Sequence, residues 1–153
     1  MRIAIGSDHG GYRLKDDLKR RLQEAGHEVA DVGGSAERSD YPGPAAAVGR
    51  AVAGQAADRG VLVCGSGIGV SIAANKINGV RSAVIGETTS ARLFREHNDG
   101  NVVCIGERLI GPEMAWEIVQ TFLATPHLGG QHAVRVDQIQ ELERHAAAAT
   151  RLP

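Results

Sequence analysis

Five short apolar runs divide the chain: RIAIG (2–6), HEVADV (27–32), GVLVC (60–64), RSAVI (81–85) and NVVCIG (101–106). Between and after them lie segments of helical pattern, and no other property of the sequence narrows the fold as far. Short runs rich in Val and Ile, bounded by Gly and Asp, read as strands. Strands that alternate with helices are βαβ units, which build a parallel sheet covered by helices on both faces.

The helical segments are legible from their spacing. Leu14, Leu18 and Leu22 recur every fourth residue among charges, which predicts an amphipathic helix over 11–25. Pro42 or Pro44 opens a second, carrying Ala45, Val48 and Val52. A third follows the glycine-rich stretch at 65–69 and runs to about Ile77, and a fourth runs from Thr88 or Thr89 to His97. Gly111-Pro112 starts a fifth, with Ala115, Ile118, Val119, Phe122 and Leu123 on one face. Residues 131–150 form a last helix with a narrow stripe, Val136, Ile139, Leu142 and Ala146. No strand follows it, so it either covers a sheet edge or packs on a second subunit.

Bulk properties limit the rest. The 153 residues are expected to form a single domain, 1–153, burying roughly 68–70% of the surface the unfolded chain exposes. A formal net charge of −1 offers no electrostatic case for nucleic acid or an anionic membrane as partner. MRIAIGSDHGG carries charge too early for a signal peptide, and no apolar run approaches the ~20 residues that span a bilayer. Cys64 and Cys104 lie outside any CxxC or Cys/His metal spacing. These features predict a cytoplasmic protein with reduced thiols.

In an open parallel sheet, ligands bind beyond the carboxyl ends of the strands. There the first run leads into Ser7-Asp8-His9-Gly10-Gly11, the third into Cys64-Gly65-Ser66-Gly67-Ile68-Gly69, and the fifth into Gly106-Glu107-Arg108. If strands one and three are neighbours, Asp8, His9 and Cys64 meet in one crevice. The G-x-G-x-G loop is neither a dinucleotide fingerprint nor a P-loop. It is a tight strand-to-helix turn, or a cradle of bare N–H groups for a phosphate or a developing oxyanion. Cys64 is either a small buried hydrophobe or, beside a helix N-terminus, a thiol whose thiolate is favoured and can act as base or nucleophile. Cys104, inside an apolar run, reads as core. His97-Asn98-Asp99-Gly100 suits a helix end, and spacing alone does not bring His97 to the crevice. Tyr41 lies in a polar loop before a proline-started helix, and Arg108 and Arg135 read equally as solvated side chains. With no HExxH and no Asp-rich cage, neither a metal nor a cofactor is expected.

GSDHGGYRLK, SDYP, the loop with SIAANK, and REHNDGNV, in that order, resemble the type B ribose-5-phosphate isomerases and their galactose-6-phosphate and allose-6-phosphate relatives. The likeness runs from residue 1 to about 143. It implies an α/β fold, a three-layer α/β/α sandwich on a five-stranded parallel, Rossmann-like sheet of order 2-1-3-5-4, with an extra C-terminal helix. It further implies an aldose–ketose isomerase acting on a small-molecule sugar phosphate. The assembly would be a homodimer, alone or paired into a tetramer, with sites between subunits. Carried onto this chain, the resemblance makes Cys64 the base that moves a proton between C2 and C1, and Ser66 its hydroxyl helper. The amides of Gly65, Gly67 and Gly69, with Asn98, would hold the enediolate. His97 and Asp8 would serve ring opening and hydroxyl contacts, and Tyr41 would line the site. His9 and Arg108, with arginines on the partner's C-terminal segment, would clamp the phosphate. Ser71, His132 and Arg135 complete the substrate-binding set.

One departure bears on the sugar. Where these isomerases read Arg-His-x-x-Arg, this chain reads Gln131-His132-Ala133-Val134-Arg135. Loss of one charged hydrogen-bond partner costs roughly 1.5–3 kcal/mol of phosphate binding. A tetrose phosphate, allose 6-phosphate or a free pentose therefore stands beside ribose 5-phosphate as substrate. A non-catalytic phosphometabolite-binding module is the reading from another class.

Overall fold

A computed structural model describes residues 1–149, with side chains as far as His145. Its elements run β1 (Arg2–Ser7), α1 (Tyr12–Glu24), β2 (Glu28–Asp31), α2 (Pro42–Ala53), β3 (Arg59–Cys64), α3 (Ile68–Ala74), β4 (Ser82–Val84), α4 (Thr88–Asn98), β5 (Val102–Gly106), α5 (Pro112–Ala124) and α6 (Gln131–Ala149). All pairings are parallel, in the order β2-β1-β3-β5-β4. The α/β fold and strand order expected from the sequence are those observed.

The two-residue period of the strands divides the core. Ile3, Ile5, Val61, Val63, Val103 and Ile105 face α1, α4 and α5. Ala4, Leu62, Cys64, Val102 and Cys104 face α2 and α3. Because both faces are covered, the central strands β1, β3 and β5 read as continuous apolar runs rather than as alternation. Each fully buried Val, Leu or Ile contributes about 1.5–3 kcal/mol relative to exposure. Register sets the crevice: Gly6 pairs with Leu62 and Cys64 with Gly106, so β1, β3 and β5 end side by side.

One expectation changes. α3 stops at Ala74, short of Ile77, because Asn75 turns to β4: its Nδ2 donates to the Ser82 carbonyl at 2.9 Å and its Oδ1 accepts from the Ser82 N–H at 2.8 Å. α6 rests on α4, and Glu143 accepts a hydrogen bond from the Gly79 N–H at 2.9 Å. Only Val136 of its apolar stripe is buried; Ile139 is 39% and Leu142 70% exposed, and the Ala146 side chain lies outside the described residues. No helix among the described residues is long and apolar enough to cross a membrane.

Candidate active site

β3 ends at Cys64, and Gly67 must then take a positive φ of 77° for α3 to start at Ile68. A side chain there would also press within 3.1 Å of the Ile105 carbonyl carbon, so glycine answers both demands. The turn brings the Gly67 N–H onto Cys64 Sγ at 3.1 Å. Cys64 is 5% exposed and stands at the floor of a cavity of about 310 Å³. Asp8, His9, Gly10, Tyr41, Gly65, Ser66, Gly69, Arg108 and Leu109 form its walls.

Each wall has a distinct anchor. Asp8 accepts from the Gly10 N–H at 2.8 Å, fixing the β1–α1 turn. His9 Nδ1 lies 3.0 Å from the Ser39 carbonyl oxygen, which ties that turn to the segment leading to Tyr41. The Tyr41 ring lies flat on Gly69, where a Cβ would come within 2.8 Å of its Cζ. Arg108 lies over Gly65 in the same way, its Nε 3.2 Å from where a Cβ would stand. Ser66 Oγ accepts from the Ile68 N–H at 3.3 Å. The ion pair behind this frame joins Lys15, only 3% exposed, to Asp31 at 2.8 Å. Burial raises the Asp31 carboxyl, but bonds from Lys15, Lys19 and the Gly33 amide outweigh it and hold it below its ordinary range.

Other expected residues lie elsewhere. His97 and Asn98 end α4, which precedes β5 and so stands at the amino end of the sheet. His97 stacks on His132 of α6, with ring centroids 4.2 Å apart and planes 1° from parallel. Burial, then the nearby His97, Arg135 and His127, lowers the His132 pKa, with Glu96 opposing. Asn98 gives its carbonyl to Arg81 Nε at 3.1 Å, and Arg135 is exposed. Ser71 is buried on α3, its Oγ 3.1 Å from Ser82 Oγ, and is not among the residues lining this cavity. Cys104 is core as expected, its thiol pushed up to about 12 by burial.

Gly10 and Leu109 line the cavity without having been singled out. Gly10 was legible in principle, within the Asp-His-Gly-Gly turn, whereas Leu109 carries no sequence signal. A second cavity of the same volume lies between α1 and α5, lined by Arg13, Asp17, Arg21 and Glu107 among others. Size does not separate the two. The first alone has a thiol, a hydroxyl and main-chain amides in its wall.

A sulfur and an amide turn at the carboxyl ends of a parallel sheet, beside a histidine and an arginine, mark a site for an anionic small molecule. The chain belongs to the Ribose/Galactose Isomerase family, which matches residues 3–139. It is 47% identical over 144 residues to ribose-5-phosphate isomerase B of Escherichia coli K12, covering 94% of this chain and 97% of that one. D-erythrulose-4-phosphate isomerase of Pectobacterium atrosepticum is 37% identical over 150 residues, covering 95% and 99%. The solved ribose-5-phosphate isomerase B of Clostridium thermocellum superposes with a TM-score of 0.94 at 46% identity, covering 95% of this chain and 99% of that one.

Proposed function

We propose that this protein is a cytoplasmic aldose–ketose isomerase that interconverts D-ribose 5-phosphate and D-ribulose 5-phosphate through an enediolate. The observation that carries the reading is Cys64 Sγ, 3.1 Å from the Gly67 amide on the floor of the cavity. A proton beside a carbonyl is removed readily only if the oxyanion left behind is held. Cys64 takes the C2 proton of the open-chain aldose and returns it at C1, while the O2 hydroxyl proton passes to O1 with the Ser66 hydroxyl as helper. A thiolate accepts the Gly67 hydrogen bond more strongly than a thiol does, so that amide steadies the base. With the Ile68 amide given to Ser66 Oγ, the enediolate oxygens fall to the amides of Gly65, Ser66 and Gly69. Asp8 meets the sugar hydroxyls, Tyr41 closes one side, and His9 and Arg108 take the phosphate.

The same reading makes the enzyme a homodimer. His97, Asn98, His132 and Arg135 stand at the far end of their own sheet and would serve the cavity of the other copy. Uncovered apolar side chains support this: Ile68 is 54%, Ile72 60% and Leu109 65% exposed around the cavity, and Val134 57% and Leu142 70% on α6.

The test is solvent deuterium uptake at C2 of the sugar during turnover. Wild-type protein should incorporate the label. A Cys64→Ala protein that exchanges at the wild-type rate would remove the thiol as base.

Gln131, and the 37% identity to a D-erythrulose-4-phosphate isomerase, favour a second reading with the same chemistry on a four-carbon sugar phosphate. Comparing kcat/KM for ribose 5-phosphate and erythrulose 4-phosphate decides. A wide lead for the pentose ends the second reading.

A further inference from the structure

The β5–α5 turn carries Arg108 into the cavity, and Arg108 itself is exposed; within the turn the Leu109 and Ile110 N–H groups both donate to the Gly106 carbonyl, at 3.0 and 3.4 Å. Its main chain is held on one side by β3 and its loop: the Glu107 N–H donates to the Cys64 carbonyl at 2.9 Å and the Arg108 N–H to the Gly65 carbonyl at 3.1 Å. On the other side a single side chain reaches across. Glu107 Oε2 accepts the Leu14 N–H at 3.0 Å, although 93 residues separate the two in sequence.

Leu14 is the third residue of α1, and its amide is one of the donors that helix geometry leaves without an intrahelical partner. The residue at the head of α1 is Gly11, which offers no side-chain cap. A carboxylate from the β5–α5 turn therefore supplies the cap. α1 follows directly from Asp8, His9 and Gly10, so this one contact joins the wall that carries His9 to the wall that carries Arg108. Glu113 offers a contrast within the same pair of helices. It pairs with Arg21 at 2.6 Å, tying α5 to α1 further along, and is itself 77% exposed.

We infer that Glu107 is a positioning residue for phosphate recognition: through the Leu14 amide it fixes the β1–α1 turn against the β5–α5 turn, and so sets the spacing of His9 and Arg108. It touches no substrate. This rests on the proposed reading, in which those two side chains hold the phosphate of the sugar.

The experiment is a double-mutant cycle on the full-length enzyme, with ribose 5-phosphate and unphosphorylated D-ribose as substrates. Glu107→Ala should raise KM for ribose 5-phosphate about five- to tenfold, with kcat within about twofold. kcat/KM for D-ribose should not move. Glu107→Gln keeps an oxygen acceptor for the Leu14 amide and should restore KM to within about twofold of wild type. Glu113→Ala should leave KM unchanged. In an Arg108→Ala background, Glu107→Ala should add little further loss.

Equal losses on both substrates, full additivity with Arg108→Ala, or the same effect from Glu113→Ala would each overturn the assignment and leave a merely structural cap. If Arg108→Ala alone leaves KM for ribose 5-phosphate untouched, the phosphate reading itself fails, and the cycle separates the two failures. Should Glu107→Ala fold poorly, Glu107→Gln and Glu107→Asp keep the question open to measurement. The shorter aspartate should raise KM for ribose 5-phosphate alone, and an aspartate variant identical to wild type would count against the inference.

Discussion

At the carboxyl end of the sheet, the candidate site residues are held by main chain; at the amino end, by side chains wedged between two helices. Cys64 is the last residue of a strand paired on both sides, and its sulfur takes a hydrogen bond from the turn that follows. It cannot shift without moving β1 and β5. His97 depends instead on α6, whose His132 stacks on it and whose own stripe, among the described residues, is buried only at Val136. One group is rigid and enclosed by its own chain, while the other is presented outward. On the proposed reading the two ends are complementary halves, each idle until it meets the other's counterpart on a second copy.

The largest effect should come from the rigid half. Cys64→Ala should lower kcat/KM by about 10²–10⁴-fold, the usual contribution of a positioned general base, with the thermal midpoint little changed. A loss below tenfold would break the comparison at its stronger end. Alkylation offers a parallel measurement. Iodoacetamide at pH 8 should stop turnover at one equivalent per chain, because Cys104 is fully buried with its thiol pushed up to about 12. Two equivalents by mass spectrometry of the folded protein would mean that the core opens more readily than its packing implies.

Complementation addresses the pairing of the halves. Cys64→Ala and His97→Ala proteins should each be nearly inactive. Mixed, dissociated and reassembled, they should recover about a quarter of wild-type activity, since half of the randomly formed dimers contain one intact site of two. No recovery would mean that each cavity is complete within its own chain, and the amino-end cluster would lose its assigned role.

The rigid half was also the more legible one. Apolar runs and the glycine spacing are local signals, and they led to β3, the turn and Cys64 without any long-range information. Contacts that close the cavity are not local. The Tyr41 ring on Gly69 and the His9–Ser39 bond depend on how residues 33–41 fold back. The Glu107 cap joins segments 93 residues apart. The bond between the Ser71 and Ser82 hydroxyls joins α3 to β4 across a turn whose course no local pattern gives. α6 escaped for a different reason. Val136, Ile139 and Leu142 form an apolar stripe whatever covers them, and the pattern does not say whether the cover is α4 or a second molecule.

The smallest effect concerns the outward half and its dependence on pH. The His132 ring stacks on His97 of α4, with Glu96, His127 and Arg135 also near. Burial, reinforced by His97, Arg135 and His127 and opposed by Glu96, holds its pKa below the ordinary 6.5. In the unfolded or undocked chain that restraint is gone, so the undocked form binds the proton more readily. For a base whose folded pKa is depressed, the stabilisation is fully present above about 6.5 and fades as pH falls below it. Docking of α6 on α4 should therefore weaken between pH 7 and pH 5. Hydrogen-exchange protection of the α6 amides, corrected for intrinsic rates, should drop a few-fold over that range, while the β3 amides keep theirs. His132→Asn removes the titrating ring and should flatten the α6 profile. A profile that stays steep in the asparagine variant would assign the pH response to another group, and the stack would then be packing alone.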